Sequence, residues 1–165
     1  MEKRLMTVAC LMTLLGSVPL VADQMVVEKK VLTLAAARRI VAAAEAEARA
    51  RGVAVVVVVV DDAGHVIELT RMDDAQVASV NVGIGKARTA AIYRRPTRVF
   101  EEQIKNGRIA ALALADATPL QGGLPIVFDG KVVGAVGVSG DTPQVDEEIA
   151  MAGMLAVKDQ PTEVK

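Results

Sequence analysis

The run of valines between residues 53 and 60 constrains the fold of this chain more than any other stretch. It holds seven valines in eight residues, and Ala54 is the only interruption. β-branched side chains lose rotamer freedom in a helix, and a strand with one wet face would alternate apolar and polar residues. The run therefore predicts a central strand that is covered on both faces.

Two turn signals place further strands beside this one. Asp61 to Gly64 turns the chain, and Val66 to Arg71 returns as a second strand. Asp129-Gly130 lies between two apolar runs, and Asp-Gly tolerates the positive φ of a tight hairpin turn. The entry to that hairpin, Gly122 to Pro125, is predicted to be a loop because proline restricts its neighbour and supplies no N–H. Hairpins make neighbouring strands antiparallel.

Helical patterns fill most of the remaining chain. Thr33 is a predicted N-cap for a helix from Leu34 to Arg51, with Gly52 just past its end. Its apolar stripe at helical spacing consists of Ala37, Ile40, Val41, Ala44 and Ala48. Three more helices are predicted at Ser79 to Tyr93, Pro96 to Lys105 and Pro143 to Val157. Together the patterns predict an α+β domain with one antiparallel sheet and helices packed on its faces.

The N-terminus is predicted to be a secretory signal peptide, residues 1–22. Lys3 and Arg4 precede an apolar run from Leu5 to Val21, and Ala22 offers a small residue before the cut. A transmembrane anchor is less favoured because the run is short and contains Pro19. We therefore expect a periplasmic or secreted protein, with residues 23–165 as a single domain and no stable membrane span after signal removal.

Composition limits which classes of binding partner and which covalent cross-links this chain can have. Among 165 residues, 19 basic and 20 acidic side chains give a net charge of −1, so nothing electrostatic favours nucleic acid as a partner. The one cysteine, Cys10, lies in the predicted signal peptide, so the mature chain would hold no disulfide. Aromatic residues make up only 2%, and the core must be built from aliphatic side chains.

His65 is the only histidine of the chain. Imidazole is a common ligand of haem iron and a usual general base. A single histidine directly after a hairpin turn is either a solvated turn residue or a ligand, and the sequence leaves both interpretations open. With no second histidine and no mature cysteine, zinc sites of the Cys/His kind and a c-type haem attachment are excluded.

Arg71 and Met72 lie between a predicted strand end and a helix start, which is a common place for a ligand. An arginine suits a carboxylate such as a haem propionate, and a thioether can ligate haem iron. In the alternative interpretation, Arg71 lies at a sheet edge and Met72 fills the core.

The helix from Ser79 carries two candidate residues, Lys86 and Thr89, which are three apart and share a face. Gly83 and Gly85 weaken this helix by about 1 kcal/mol each, which fits a helix that something approaches closely. In the alternative interpretation Lys86 is a surface lysine, and Thr89 donates to the carbonyl four residues earlier.

The Gly122-Gly123 amides are a further candidate. Successive backbone N–H groups can form a concave nest for a carboxylate or an oxyanion. The two glycines are equally explained by the hairpin that follows them.

Several motifs, in register, resemble the GlcG/HbpS family of small haem-binding-type proteins, which also appears as the C-terminal domain of PduO-type proteins. They are GGLPIVFDGKVVGAVGVSG followed by TPQVDEEIAMAG and, upstream, VVVDDAGHVIELTRMDDA and SVNVGIGKARTAA. The resemblance covers nearly all of the chain after the first thirty or so residues. It implies a profilin-like (GlcG-like) fold.

The resemblance also implies a function. It implies a non-enzymatic protein that binds haem or a related tetrapyrrole in a pocket between the sheet and the helix from Ser79 to Ala91. The family places the KAxTA segment at the ligand pocket, and its members hold haem iron by a threonine oxygen or by histidine. Thr89 and His65 are therefore competing iron ligands. The family often forms homo-oligomers, so a homo-oligomer is expected.

Two alternatives stay open. One is an enzyme or accessory protein that acts on a small carboxylate, since GlcG-type proteins resemble accessory parts of glycolate, diol or aromatic-acid pathways. Arg71 and the Gly122-Gly123 amides would hold the acid, and Lys86 would act as acid, base or electrophile. The other is a structural module whose glycines and alanine-rich helices let subunits pack closely.

Overall fold

The computed structural model describes residues 26–158 and contains one four-stranded antiparallel sheet in the order β2-β1-β4-β3. The predicted signal peptide and residues 159–165 lie outside the described residues. The predicted α+β class is confirmed. In chain order the elements are α1 (Leu34–Arg51), β1 (Val56–Asp61), β2 (Val66–Arg71), α2 (Ser79–Tyr93), α3 (Arg98–Lys105), a 3-10 helix (Ile109–Ala113), β3 (Gly123–Phe128), β4 (Lys131–Ser139) and α4 (Pro143–Lys158).

The valine run forms β1, which pairs with β2 on one side and with β4 on the other. Every residue from Val55 to Val60 is 0% exposed. Val57 and Val59 enter the core that α1 and α4 cover, whereas Val56, Val58 and Val60 enter the core under α2. The prediction of a central strand covered on both faces is confirmed, although the strand begins at Val56 rather than Val53.

Helix α1 begins and ends where its capping residues predict. The Thr33 hydroxyl accepts a hydrogen bond from the Ala36 N–H at 3.1 Å, and Gly52 adopts the left-handed conformation with φ 70°. The five residues of the predicted apolar stripe are the buried residues of the helix. Its partner is α4, and the two approach closely because a methyl group on Gly153 would lie 2.8 Å from the Ile40 carbonyl oxygen.

The second hairpin turns at Asp129 and Gly130, whose φ values of 48° and 73° are both left-handed, as a type I′ turn requires. The predicted loop at its entry is wrong from Gly123 onward, because β3 begins there and includes Pro125. Proline is tolerated because β3 is an edge strand, where the missing N–H would have faced outward. Buried Thr97 covers the edge of β3 at Gly123, since its N–H donates to the Gly123 oxygen and its hydroxyl accepts from the Gly123 N–H, both at 2.9 Å.

Helix α2 packs directly on β1 and β4, so the expected tetrapyrrole pocket between the sheet and this helix is wrong. Ala87 and Ala90 are 0% exposed against the valines of β1. A methyl group on Gly137 would lie 2.4 Å from the Gly83 oxygen and 2.5 Å from the Ala87 nitrogen. At that separation the interface has no room for a flat ring system.

No helix among residues 26–158 is long and apolar enough to cross a membrane.

Candidate functional site

Lys86 is buried, with 3% of its side chain exposed, and forms an ion pair with an equally buried aspartate. Its ammonium donates to Asp146 Oδ2 at 2.7 Å and to the carbonyl oxygen of Val138 at 2.9 Å. The interpretation of Lys86 as a surface lysine is therefore wrong. One side chain of α2 is tied to the backbone of β4 and to the first turn of α4.

Asp146 was missed by sequence reasoning. Its other oxygen, Oδ1, accepts from the Asp141 N–H at 3.0 Å, and its position in the first turn of α4 places it at the positive end of the helix dipole. Burial raises the pKa of the Asp146 carboxyl, and the Lys86 ammonium and the Asp141 N–H offset part of the rise. The Lys86 ammonium thus favours the ionised form of the buried Asp146 carboxyl.

Gly122 and Gly123 lie against this pair. Gly122 has φ 120°, and a methyl group there would lie 2.9 Å from Lys86 Nζ and 2.8 Å from the Val138 oxygen. A methyl group on Gly123 would lie 2.4 Å from the Lys86 carbonyl oxygen. Since the Gly123 N–H already donates to Thr97, it is not available to an oxyanion. The two glycines permit close packing and leave no space for a ligand beside the ammonium.

Thr89 is 0% exposed, and its hydroxyl has two partners. It donates to the Gly85 oxygen at 2.7 Å and accepts from the Thr118 N–H at 2.7 Å. The back-bonding interpretation is confirmed. The hydroxyl holds the segment that follows the 3-10 helix against α2, and burial keeps it out of contact with solvent.

His65 lies on the turn between β1 and β2, and 81% of its side chain is exposed. Asp61 organises this turn, because its Oδ1 accepts from the N–H groups of Ala63 and His65, both at 2.9 Å. The second oxygen of Asp61 lies 3.4 Å from His65 Nδ1. Desolvation raises the pKa of Asp61, but the two backbone hydrogen bonds and the nearby imidazole outweigh it, so the pKa lies below its usual value. The Asp61 carboxylate faces Nδ1, and Nε2 is left for another partner.

Arg71 and Met72 do not join the other candidates. The Arg71 guanidinium donates to the Ala75 oxygen at 3.1 Å, at the end of the edge strand β2. Met72 is half-buried and packs against the core under α1 and α4, on the opposite side of the sheet from Thr89. The structure thus supports the alternative interpretations of both residues, at the sheet edge and in the core.

The structure therefore brings together Lys86, Gly122 and Gly123, and separates them from Arg71, Met72 and His65. This arrangement does not support the small-carboxylate site. The charge of Lys86 is neutralised by Asp146, and Arg71 lies at the end of β2 whereas Gly123 begins β3. Among residues 26–158, no cluster of three or more His, Cys, Asp or Glu side chains could hold a metal ion. Among the three candidate iron ligands, His65 is 81% exposed, whereas Thr89 is 0% exposed and Met72 is half-buried.

Comparisons with known proteins agree with this fold. The family model described as "Haem degrading protein HbpS-like" matches residues 32–155. The protein GlcG of Escherichia coli K12 is 43% identical over 111 residues, which cover 67% of this chain and 83% of GlcG. The crystal structure of the Klebsiella pneumoniae protein ORFY has 33% identity and a TM-score of 0.78, covering 83% of this chain and 97% of ORFY. The crystal structure of a PduOC:haem complex has 26% identity and a TM-score of 0.72, covering 78% of this chain and 96% of PduOC.

Proposed function

This chain belongs to the HbpS-like family, and from that premise we propose that it is a haem-binding protein in which the His65 imidazole ligates the iron. The observation that carries the proposal is the exposed imidazole, whose Nδ1 faces the Asp61 carboxylate. A carboxylate at one ring nitrogen fixes the tautomer and the orientation of the ring, which is the common arrangement of ligating histidines.

The donor set near His65 fits haem better than the surroundings of Thr89 do. Asp61 is fixed by backbone hydrogen bonds, so the imidazole faces a carboxylate that is already in place. Gly64 lies against α2, where a methyl group on it would meet Arg88 Cγ at 2.7 Å and Ile92 Cγ2 at 3.4 Å. Arg88 is half-exposed and its guanidinium lies 3.4 Å from Asp116 Oδ2, so a propionate would share this cation with Asp116; Val66, 48% exposed, offers apolar contact. Haem would supply the iron and the flat apolar ring, and the chain would bind and orient it.

A haemin titration of the purified protein is expected to give a saturable Soret shift with one haem per chain. His65→Ala should weaken binding at least about tenfold and change the Soret maximum, because the iron loses its protein ligand. Thr89→Val should leave the Soret band in place and lower the melting temperature, because it removes two buried hydrogen bonds. Absorption spectroscopy and thermal unfolding together distinguish the two candidates.

Asp61→Asn tests the role of the carboxylate in the same titration. We expect binding roughly 10-fold to 100-fold weaker than in the unmodified protein, which is the usual effect of losing the partner of a ligating histidine. The proposal is wrong if haemin gives no saturable shift. It is also wrong if Thr89→Val abolishes the Soret shift while His65→Ala retains it.

We further propose that the protein is exported and assembles as a homo-oligomer. The basic start and short apolar run of residues 1–22 support export. Exposed apolar side chains on α4, Met151 at 37% and Leu155 at 51%, support assembly. Intact-mass analysis of protein from its own cells should give a chain that begins at Asp23, and light scattering should give a multiple of that mass. An unprocessed chain would contradict export, and a monomer would contradict assembly.

A further inference from the structure

A cavity of about 530 Å³ lies at the turn end of the sheet, away from the Lys86–Asp146 pair. The N-terminal strap, which we define as residues 27–30, lines it together with the start of β4 from Lys131 to Val133. Arg94 and Asp62 complete its charged lining. A neighbouring cavity of about 310 Å³ shares Glu28, Lys29, Lys30 and Lys131. The N-terminal strap therefore borders a cleft with two compartments.

Two ion pairs hold the N-terminal strap in place. Lys29 Nζ lies 2.7 Å from Asp62 Oδ1 in the β1–β2 turn, and Lys30 pairs with Asp129 in the β3–β4 turn. The strap is thus tied to both turns that border the cleft, and the charges of these two lysines are balanced by their partners.

Two cations of the cavity lining have no ion-pair partner among residues 26–158. Arg94 ends α2 as its C-cap with φ 55°, and Lys131 begins β4. Both are exposed, and neither forms an ion pair within residues 26–158. Glu28 is the only acidic side chain of the lining without such a pair in that part of the chain. The lining therefore carries an excess of positive charge available to a ligand.

The remaining lining is aliphatic. Val127 and Val132 are cross-strand partners of β3 and β4, and Val133 and Val27 extend the surface they form. Val127 is 49% exposed and Val27 is 77% exposed, so these two face the opening, whereas Val133 is 3% exposed and belongs to the core. Cations beside an aliphatic wall can recognise a molecule that has an apolar body and an acidic group.

We propose that this cavity binds an organic anion with an apolar body, whose acidic group pairs with Arg94 and Lys131. The lining does not include His65, although it includes Asp62 of the same turn, and the proposal does not depend on haem binding.

A matched pair of fluorescent probes tests the proposal. 1-Anilinonaphthalene-8-sulfonate is an apolar anion, and N-phenyl-1-naphthylamine has the same rings without the sulfonate. For the folded protein we expect saturable binding of the anion that weakens with added salt. The double variant Arg94→Gln/Lys131→Gln should weaken anion binding about tenfold or more and leave the neutral probe unchanged. Val132→Phe should fill the cavity and weaken both probes.

Arg108→Gln is the matched control, since Arg108 is exposed and its guanidinium donates to the Gln103 side chain, outside the cavity. It should leave both affinities unchanged, and so should His65→Ala, which separates this site from the proposed haem ligand. Circular dichroism of each variant establishes that it is folded. Equal anion affinity in the double variant and the unmodified protein would overturn the proposal, and so would an equal loss in Arg108→Gln.

Discussion

Replacing Lys86 with methionine is expected to lower the free energy of unfolding by about 3–5 kcal/mol, the usual cost of leaving a buried charge without its partner. Lys86 and Asp146 are 3% and 2% exposed, and the ammonium is the ion-pair partner of that carboxylate. Methionine keeps most of the length of the side chain, so the loss reports the charge rather than a cavity. Chemical denaturation of both proteins at neutral pH measures it.

The effect of Lys86→Met should depend on pH with a definite sign. Burial already raises the pKa of Asp146 in the folded protein, and the substitution removes the ammonium that offsets the rise. A carboxyl whose folded pKa is raised stabilises the fold below its unfolded pKa, and this contribution is lost as pH rises through the folded value. The variant should therefore be least destabilised at acid pH. A loss that is equal at acid and neutral pH would contradict the ion-pair explanation.

The double variant Lys86→Met/Asp146→Leu is the control. Because it removes both charges and leaves apolar side chains of similar size, it should recover most of the stability lost in the single variant. A double variant as unstable as Lys86→Met would show that shape, not charge, decides this position.

Gly137→Ala is expected to destabilise the protein by at least about 3 kcal/mol, at the upper end of the cost of overpacking. The added methyl group would lie 2.4 Å from the Gly83 oxygen and 2.5 Å from the Ala87 nitrogen. Both atoms belong to the backbone of α2, so no side-chain rotation can relieve the contact and the helix must move off the sheet. Thermal and chemical unfolding measure the loss.

Gly83→Ala is the matched control, because Gly83 lies in the same interface. Its added methyl group would meet a side-chain methyl of Val58 at 3.2 Å, and alanine is favoured over glycine in a helix by about 1 kcal/mol. We expect a net change within about 1 kcal/mol of zero. A loss for Gly137→Ala no greater than for Gly83→Ala would show that α2 is not closely packed on β4.

Much of the fold could be predicted from the sequence because its signals are local or periodic. Thr33 and Gly52 mark the ends of α1 since capping depends on residues within a turn. The valine run predicts a doubly covered strand since every residue is apolar, and Asp129-Gly130 predicts the hairpin since few dipeptides tolerate two left-handed residues. Pro125 misled the prediction of β3 because its effect depends on whether the strand lies at an edge.

The candidate site was less predictable because its contacts join distant parts of the chain. Lys86 and Asp146 are 60 residues apart, and neither is buried until α2 and α4 pack at β4. One signal was present, since Lys86 shares a helical face with Gly83, Ala87 and Ala90, and a lysine on such a face needs a buried partner. The sequence does not say which acid that partner is.

By itself the sequence determined the helices, the central strand, the hairpins and the short set of polar residues able to do chemistry. Only the tertiary structure decided which of those residues are buried and already hydrogen-bonded. Thr89 is buried and donates to the Gly85 oxygen, and Lys86 is buried in an ion pair with Asp146. His65 stays exposed, with the Asp61 carboxylate 3.4 Å from its Nδ1. The physical reason is that a side chain's local pattern sets which element it lies on, whereas its free donors depend on what packs against that element.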